Sequence, residues 1–149
     1  MFRKLLPLAL LALSACSAQT LPLPAARLPM NLSVQRAPIQ TQAMVTITPQ
    51  EAHDWLADPN AQWLVLDVRT PEEFAQGHLT GATLKNFYDT NFKAQLEQMN
   101  RHQPTILYCR SGNRSGQTMT MMRELGFRNV YEIKGGIMAW QAAGFSVVK

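Results

Sequence analysis

The sequence predicts an α/β domain with a mostly parallel central sheet and helices on both faces. Three observations carry that expectation. Trp63-Leu64-Val65-Leu66 is a continuous apolar run and Thr105-Ile106-Leu107-Tyr108 a second strongly apolar one, as strands buried on both faces require. Thr48-Pro49-Gln50-Glu51 and Thr70-Pro71-Glu72-Glu73 are capping boxes with proline at the first helical position, and each opens a helix. Strand and helix patterns alternate from Met44 to the end, the order of a parallel sheet.

In order, Val45 to Ile47 is a short strand, and the Thr48 box starts a helix through Trp55 and Leu56 that ends near Asp58-Pro59. The Trp63–Leu66 strand leads directly into the Thr70 box, whose helix stops at Gly77. Gly81 to Leu84 forms a further short strand. Asn91 to Met99 is a helix with Phe92, Leu96 and Met99 on one face. After the Thr105–Tyr108 strand, Ser115 to Leu125 is a helix with Met119, Met122 and Leu125 at core spacing, capped by Gly126. Val130 to Ile133 is the last strand, and Ile137 to Ala142 a final helix beyond Gly135-Gly136.

Composition narrows the function classes. A chain of 149 residues, 46% hydrophobic and 16% charged, has one ordinary domain with a real core. Its two cysteines are too few for a disulfide scaffold or a four-ligand zinc site. The net charge of +4 comes from Arg3, Lys4, Arg27 and Arg36, all before Met44, where there is no Asp or Glu. The rest is formally neutral, which argues against a nucleic-acid surface.

Residues 1–16 read as an export signal. Arg3 and Lys4 precede the apolar run Leu5 to Leu13, which is too short to span a bilayer. The following Leu13-Ser14-Ala15-Cys16 resembles the lipobox of bacterial lipoproteins. That resemblance implies cleavage before Cys16 and its lipidation, hence a cell-envelope protein anchored to a membrane. Ser17, rather than Asp, favours the outer membrane under the enterobacterial sorting pattern. Ordinary cleavage with a soluble secreted or periplasmic product is the alternative. Residues 17–43, with four prolines and no acidic side chain, read as a tether that reaches up to roughly 80 Å at about 3.1 Å per residue. The folded domain is placed at 44–149.

In sheets of this kind ligands sit beyond the carboxyl ends of the strands, where Cys109 follows the Thr105–Tyr108 strand. The loop Cys109-Arg110-Ser111-Gly112-Asn113-Arg114-Ser115 is small and polar enough to curl around the sulfur. Gly112 and Asn113 tolerate positive φ, which a cradle of inward-facing amides needs. Arg110, Arg114 and the start of the next helix add positive potential, so the surroundings favour a thiolate. Activation alone does not account for such a cradle. Ionising roughly 75% of a thiol instead of roughly 3% at pH 7 leaves only about a threefold gain, because a less basic thiolate is a poorer nucleophile. An anionic covalent intermediate, with its charge on an outer sulfur, does account for it. Arg114 is expected to face a bound anion.

With these residues in view, the domain resembles a single-domain rhodanese, a thiosulfate sulfurtransferase. Three motifs from about Val45 to Phe145 carry the resemblance: Leu66-Asp67-Val68-Arg69-Thr70-Pro71-Glu72-Glu73-Phe74 with Gly77-His78-Leu79-Thr80-Gly81-Ala82, the Cys109 loop, and Gly135-Gly136-Ile137-Met138-Ala139-Trp140. The resemblance implies a three-layer α/β fold. It implies that Cys109 takes a sulfane sulfur from an anionic donor such as thiosulfate as a persulfide and gives it to cyanide or a thiol. The residues Arg110, Ser111, Gly112, Asn113, Arg114 and Ser115 would bind substrate and persulfide, with Arg114 orienting the donor. Asp67 and Arg69 match the family's Asp-x-Arg positions and are expected to brace the loop as an ion pair. No cofactor or metal is implied. His78 belongs to a structural turn, His53 and His102 are expected to be solvated, and Trp140 is expected in the core.

A persulfide carrier that hands sulfur to a partner, or a partner-binding module without thiosulfate turnover, fits the same motifs. A rhodanese-fold phosphatase or arsenate reductase needs five residues between cysteine and arginine, and four separate Cys109 from Arg114.

Overall fold

The computed structural model describes residues 43–149. The predicted signal segment 1–16, Cys16, and the tether apart from Ala43 lie outside the described residues. Five strands, β1 (Ala43–Ile47), β2 (Leu64–Asp67), β3 (Ala82–Leu84), β4 (Thr105–Tyr108) and β5 (Asn129–Ile133), form one sheet in the order β1-β5-β4-β2-β3. Every pairing is parallel. Five helices connect and follow them: α1 (Pro49–Leu56), α2 (Pro71–Gln76), α3 (Phe92–Glu97), α4 (Asn113–Glu124) and α5 (Gly136–Ala142).

Both capping boxes form. The Thr48 hydroxyl accepts from the Glu51 amide at 3.2 Å, and the Glu51 carboxylate accepts from the Thr48 amide at 2.8 Å. The Thr70 and Glu73 pair repeats this at 3.3 and 3.0 Å. Trp63 falls just outside β2, where its ring stacks on Trp55 at 5.5 Å and meets the edge of Tyr131. α4 begins two residues before the predicted Ser115, because Gly112, at φ 103°, already turns the chain into the helix. Asn113 is therefore helical and does not share the positive φ expected of it.

Side chains alternate across each strand, and the two resulting faces are separate cores. Ile47, Val65, Ile106, Tyr108 and Ile133 pack with Ala52 of α1 and with Ile137 and Trp140 of α5. Leu66, Leu107, Cys109 and Val130 pack on the other face with Phe92 and Leu96 of α3 and Met122 of α4. Cys109 thus continues the β4 alternation onto the α4 face, beneath the start of that helix. Trp140 is in the core as expected, and its Nε1 donates to the Ser146 carbonyl at 3.0 Å.

Leu96 is wholly buried, whereas Val45 is 45% exposed. Leu96→Ala is expected to lower stability by about 2–5 kcal/mol and Val45→Ala by less than about 0.5 kcal/mol, as read from denaturant unfolding.

Candidate active site

β4 ends at Tyr108, and the next residue, Cys109, is 1% exposed. Its sulfur accepts from the Gly112 amide at 3.1 Å and lies 3.3 Å from the Ser115 hydroxyl. Burial pushes the thiol pKa up, but the Ser115 hydroxyl and the amides of Ser115, Gly112 and Ser111 outweigh it, and the net direction is down. The Ser115 amide is free for this because the first amides of a helix have no partner within it. Of the six loop residues expected to surround the sulfur, Ser111, Gly112 and Ser115 present donors to it. Arg110, Ser111 and Asn113 have exposed side chains.

The loop is held from outside by α5. The Ile137 amide donates to the Cys109 carbonyl at 2.9 Å, and the Met138 amide to the Arg110 carbonyl at 3.1 Å. Gly136, at φ 58°, must lie so close that an added Cβ would collide with the Cys109 carbonyl oxygen and come within 2.7 Å of the Arg110 carbonyl carbon. This close approach is the physical content of the Gly135-Gly136 motif.

Arg114 has a partner within the protein. Its guanidinium forms a two-pronged ion pair with Glu73 at 2.7 and 2.8 Å, and the Tyr88 ring lies 5.6 Å from it. Arg114 therefore bridges α4 to α2. Arg110 is the loop cation with no ion pair among the described residues. It lines a cleft of about 270 Å³ together with Glu73, Met138 and Gln141.

Asp67 and Arg69 form a buried ion pair at 2.6 Å. Arg69 also donates to the Gly77 carbonyl at 2.7 Å and the Glu73 carbonyl at 3.1 Å. The pair fastens α2, and connects to the cysteine loop through Glu73 and Arg114. Tyr108 lies beside it, with its hydroxyl accepting from the Leu79 amide at 3.2 Å. Burial and the neighbouring Asp67 carboxylate push that hydroxyl above the ordinary tyrosine range. His78 is built into a turn: its ring stacks on Phe74, and its backbone pairs with Val148. His102 is exposed, but His53 is half-buried and stacks on Phe145 at 4.1 Å, contrary to its expected solvation.

Two carboxylates escaped the sequence reading as site residues. Glu73 was legible only as a capping residue, although the same carboxylate serves both Thr70 and Arg114. Glu132, on β5, is buried and accepts from Ser115 at 2.7 Å and from Thr46 at 3.1 Å. Its only signal was an acidic residue inside an otherwise apolar strand.

The family model described as Rhodanese-like domain matches residues 48–143. The chain belongs to the rhodanese-like domain family. Thiosulfate sulfurtransferase 16, chloroplastic, of Arabidopsis thaliana is 38% identical over 103 residues, covering 62% of this chain and 83% of that one. An uncharacterized Synechocystis protein is 38% identical over 109 residues, covering 73% of this chain and 59% of the other. The crystal structure of a rhodanese-like domain protein from Staphylococcus aureus superposes with a TM-score of 0.59 at 25% identity, over 70% of this chain and 98% of that one. The chain spans 24% to 59% of the length of four curated relatives it matches. In this rhodanese-like domain the three sequence motifs meet at one end of the sheet, with the Gly135-Gly136 motif gripping the Cys109 loop.

Hydrogen bonds from Arg114 hold the Glu73 carboxyl at about 2, well below its ordinary 4.5. A depressed carboxyl stabilises the fold fully above its unfolded value, and that contribution disappears as pH falls through the folded one. Wild-type stability is therefore expected to drop between pH 4.5 and about 2. Glu73→Gln, less stable at neutral pH, should lose less over that window, as urea titrations at successive pH values would measure. Gly136→Ala is expected to cost about 2 kcal/mol or more and to slow Cys109 alkylation at pH 7, because the loop must move away from α5.

Proposed function

We propose that the protein is a sulfurtransferase in which Cys109 carries a sulfane sulfur as a persulfide from an anionic donor such as thiosulfate to a thiophilic acceptor, cyanide or a thiol. The carrying observation is the sulfur itself, buried yet surrounded by the amides of Ser111, Gly112 and Ser115 and the Ser115 hydroxyl. Family membership and relatives named as sulfurtransferases support the same reading.

The Cys109 thiolate attacks the outer sulfur of thiosulfate, the S–S bond breaks, and sulfite leaves with the bonding pair. The persulfide anion then rests where fixed N–H dipoles need no reorganisation to stabilise it. An acceptor thiolate or cyanide attacks the outer sulfur, and Cys109 departs as thiolate. The two half-reactions share one enzyme form, so steady-state kinetics should be ping-pong. Arg110, at the rim and outside any ion pair among the described residues, is the cation suited to attract the donor, while Arg114 keeps the loop attached to α2.

We further propose that the protein resides in the cell envelope. A basic start, an apolar run and Leu-Ser-Ala-Cys support lipidation of Cys16, with the outer membrane as the favoured anchor. Among the described residues no helix is long and apolar enough to cross a membrane.

Intact mass after incubation with thiosulfate tests the chemistry. A gain of one sulfur atom, removed by cyanide and absent in Cys109→Ser, is the expected result; no gain in the wild type would refute the function. Arg110→Ala is expected to raise KM for thiosulfate with little change in kcat, and its effect should shrink with added salt.

A further inference from the structure

We propose that Glu132 is the proton acceptor for the Cys109 thiol, reached through the hydroxyl of Ser115. The purpose assigned to it rests on the sulfurtransferase reading, but the geometry and the test do not.

Ser115 Oγ stands between two partners, 3.3 Å from the Cys109 sulfur and 2.7 Å from Glu132 Oε1. A serine hydroxyl has one hydrogen to donate and lone pairs to accept with. It cannot donate to both partners at once. With a neutral thiol, every hydrogen has one place: the S–H donates to Oγ, and the Oγ hydrogen donates to the Glu132 carboxylate. With charge on sulfur, the Oγ hydrogen must turn to the sulfur, and Glu132 must hold a proton of its own to donate to Oγ. The two arrangements differ by two short hops. The S–H bond breaks as a new Oγ–H bond forms, and the original Oγ–H bond breaks as Oε1–H forms.

Glu132 is suited to that role and to little else. It is 7% exposed, and among the described residues no ion pair neutralises it. Thr46 donates to its second oxygen and fixes the carboxyl. In register, β1 offers it Thr46 and β4 offers Leu107, so neither neighbouring strand brings a charge. Gly112 and Gly116 face Oε1 closely enough that an added Cβ on either would sit 3.7 Å away. The charged groups on the sulfur side are Arg114, held by Glu73, and Arg110 on the rim.

The relay balances the persulfide step. The thiol, the Glu132 carboxylate and thiosulfate dianion become the persulfide anion, the Glu132 carboxylic acid and sulfite dianion. The buried site holds one negative charge before and one after. A second uncompensated charge in the same buried space would be strongly unfavourable. Glu132 acts through Ser115 and is thus a positioning residue for the reacting sulfur.

The test is the pH dependence of Cys109 alkylation by iodoacetamide in the full chain, followed by peptide mass spectrometry to separate Cys109 from Cys16. Coupled groups lose their protons in two macroscopic steps, and the wild-type rate should rise in two. Glu132→Gln should leave one step, moved to lower pH by about one pH unit relative to the upper wild-type step, because the like charge is gone. Ser115→Ala should also leave one step, but at higher pH, because the thiolate loses a donor while the carboxylate stays. Superimposable profiles for wild type and Glu132→Gln, or a shift of that variant to higher pH, would overturn the proposal. If thermal unfolding finds Glu132→Gln unfolded, a Ser115→Ala profile superimposable on the wild type overturns it equally. Failure of thiosulfate to add sulfur to a protein with an intact two-step profile would count against the proposed function and not against the relay.

Discussion

Two hydrogen bonds from the start of α5 fix the orientation of the cysteine loop. In a trans peptide the C=O and N–H point in opposite directions. When Met138 draws the carbonyl of Arg110 outward, the amide of Ser111 faces inward. The Ser111 amide is one of the donors that lower the thiol pKa. Gly136 permits the contact because nothing larger fits against the Cys109 carbonyl. The electrostatics of the sulfur therefore depend on a glycine far along the chain that never touches it.

A second set of contacts supports the loop from the side. Asp67 holds Arg69, Arg69 holds the carbonyls of Glu73 and Gly77, and the Glu73 side chain holds Arg114. The chain of contacts runs from β2 through α2 to the first turn of α4. The pair between Arg114 and Glu73 thereby steadies the helix start that supplies Ser115. The positive charge still acts on the sulfur, but as fixed background and not as a mobile hand.

These contacts separate holding charge from creating it. Burial alone would keep Cys109 a neutral thiol. Amides and a hydroxyl reverse that preference without placing a full cation against the sulfur. Fixed dipoles of this kind serve a charge that moves outward by one bond, as it does in a persulfide, better than a single ion pair fitted to one atom. Glu132 lies on the opposite side of Ser115 and gives the displaced proton a defined place.

The α/β class, the order of elements, both capping boxes and the position of Cys109 at a strand end are legible in the sequence, because these depend on local periodicity and on neighbours three or four residues apart. The sequence also marks Gly135-Gly136, without the reason. Which partner each charged loop residue takes is set by the packing of elements distant in the chain. The pairing of Arg114 with Glu73, 41 positions away, has no local signature, because Glu73 is legible only as a cap. Glu132 is not legible as a site residue because β5 pairs beside β4 and lies under α4, a juxtaposition that no local pattern encodes. Parallel pairing joins residues distant in the chain, and side-chain ion pairs and hydrogen bonds at the site are chosen by that pairing and not by spacing.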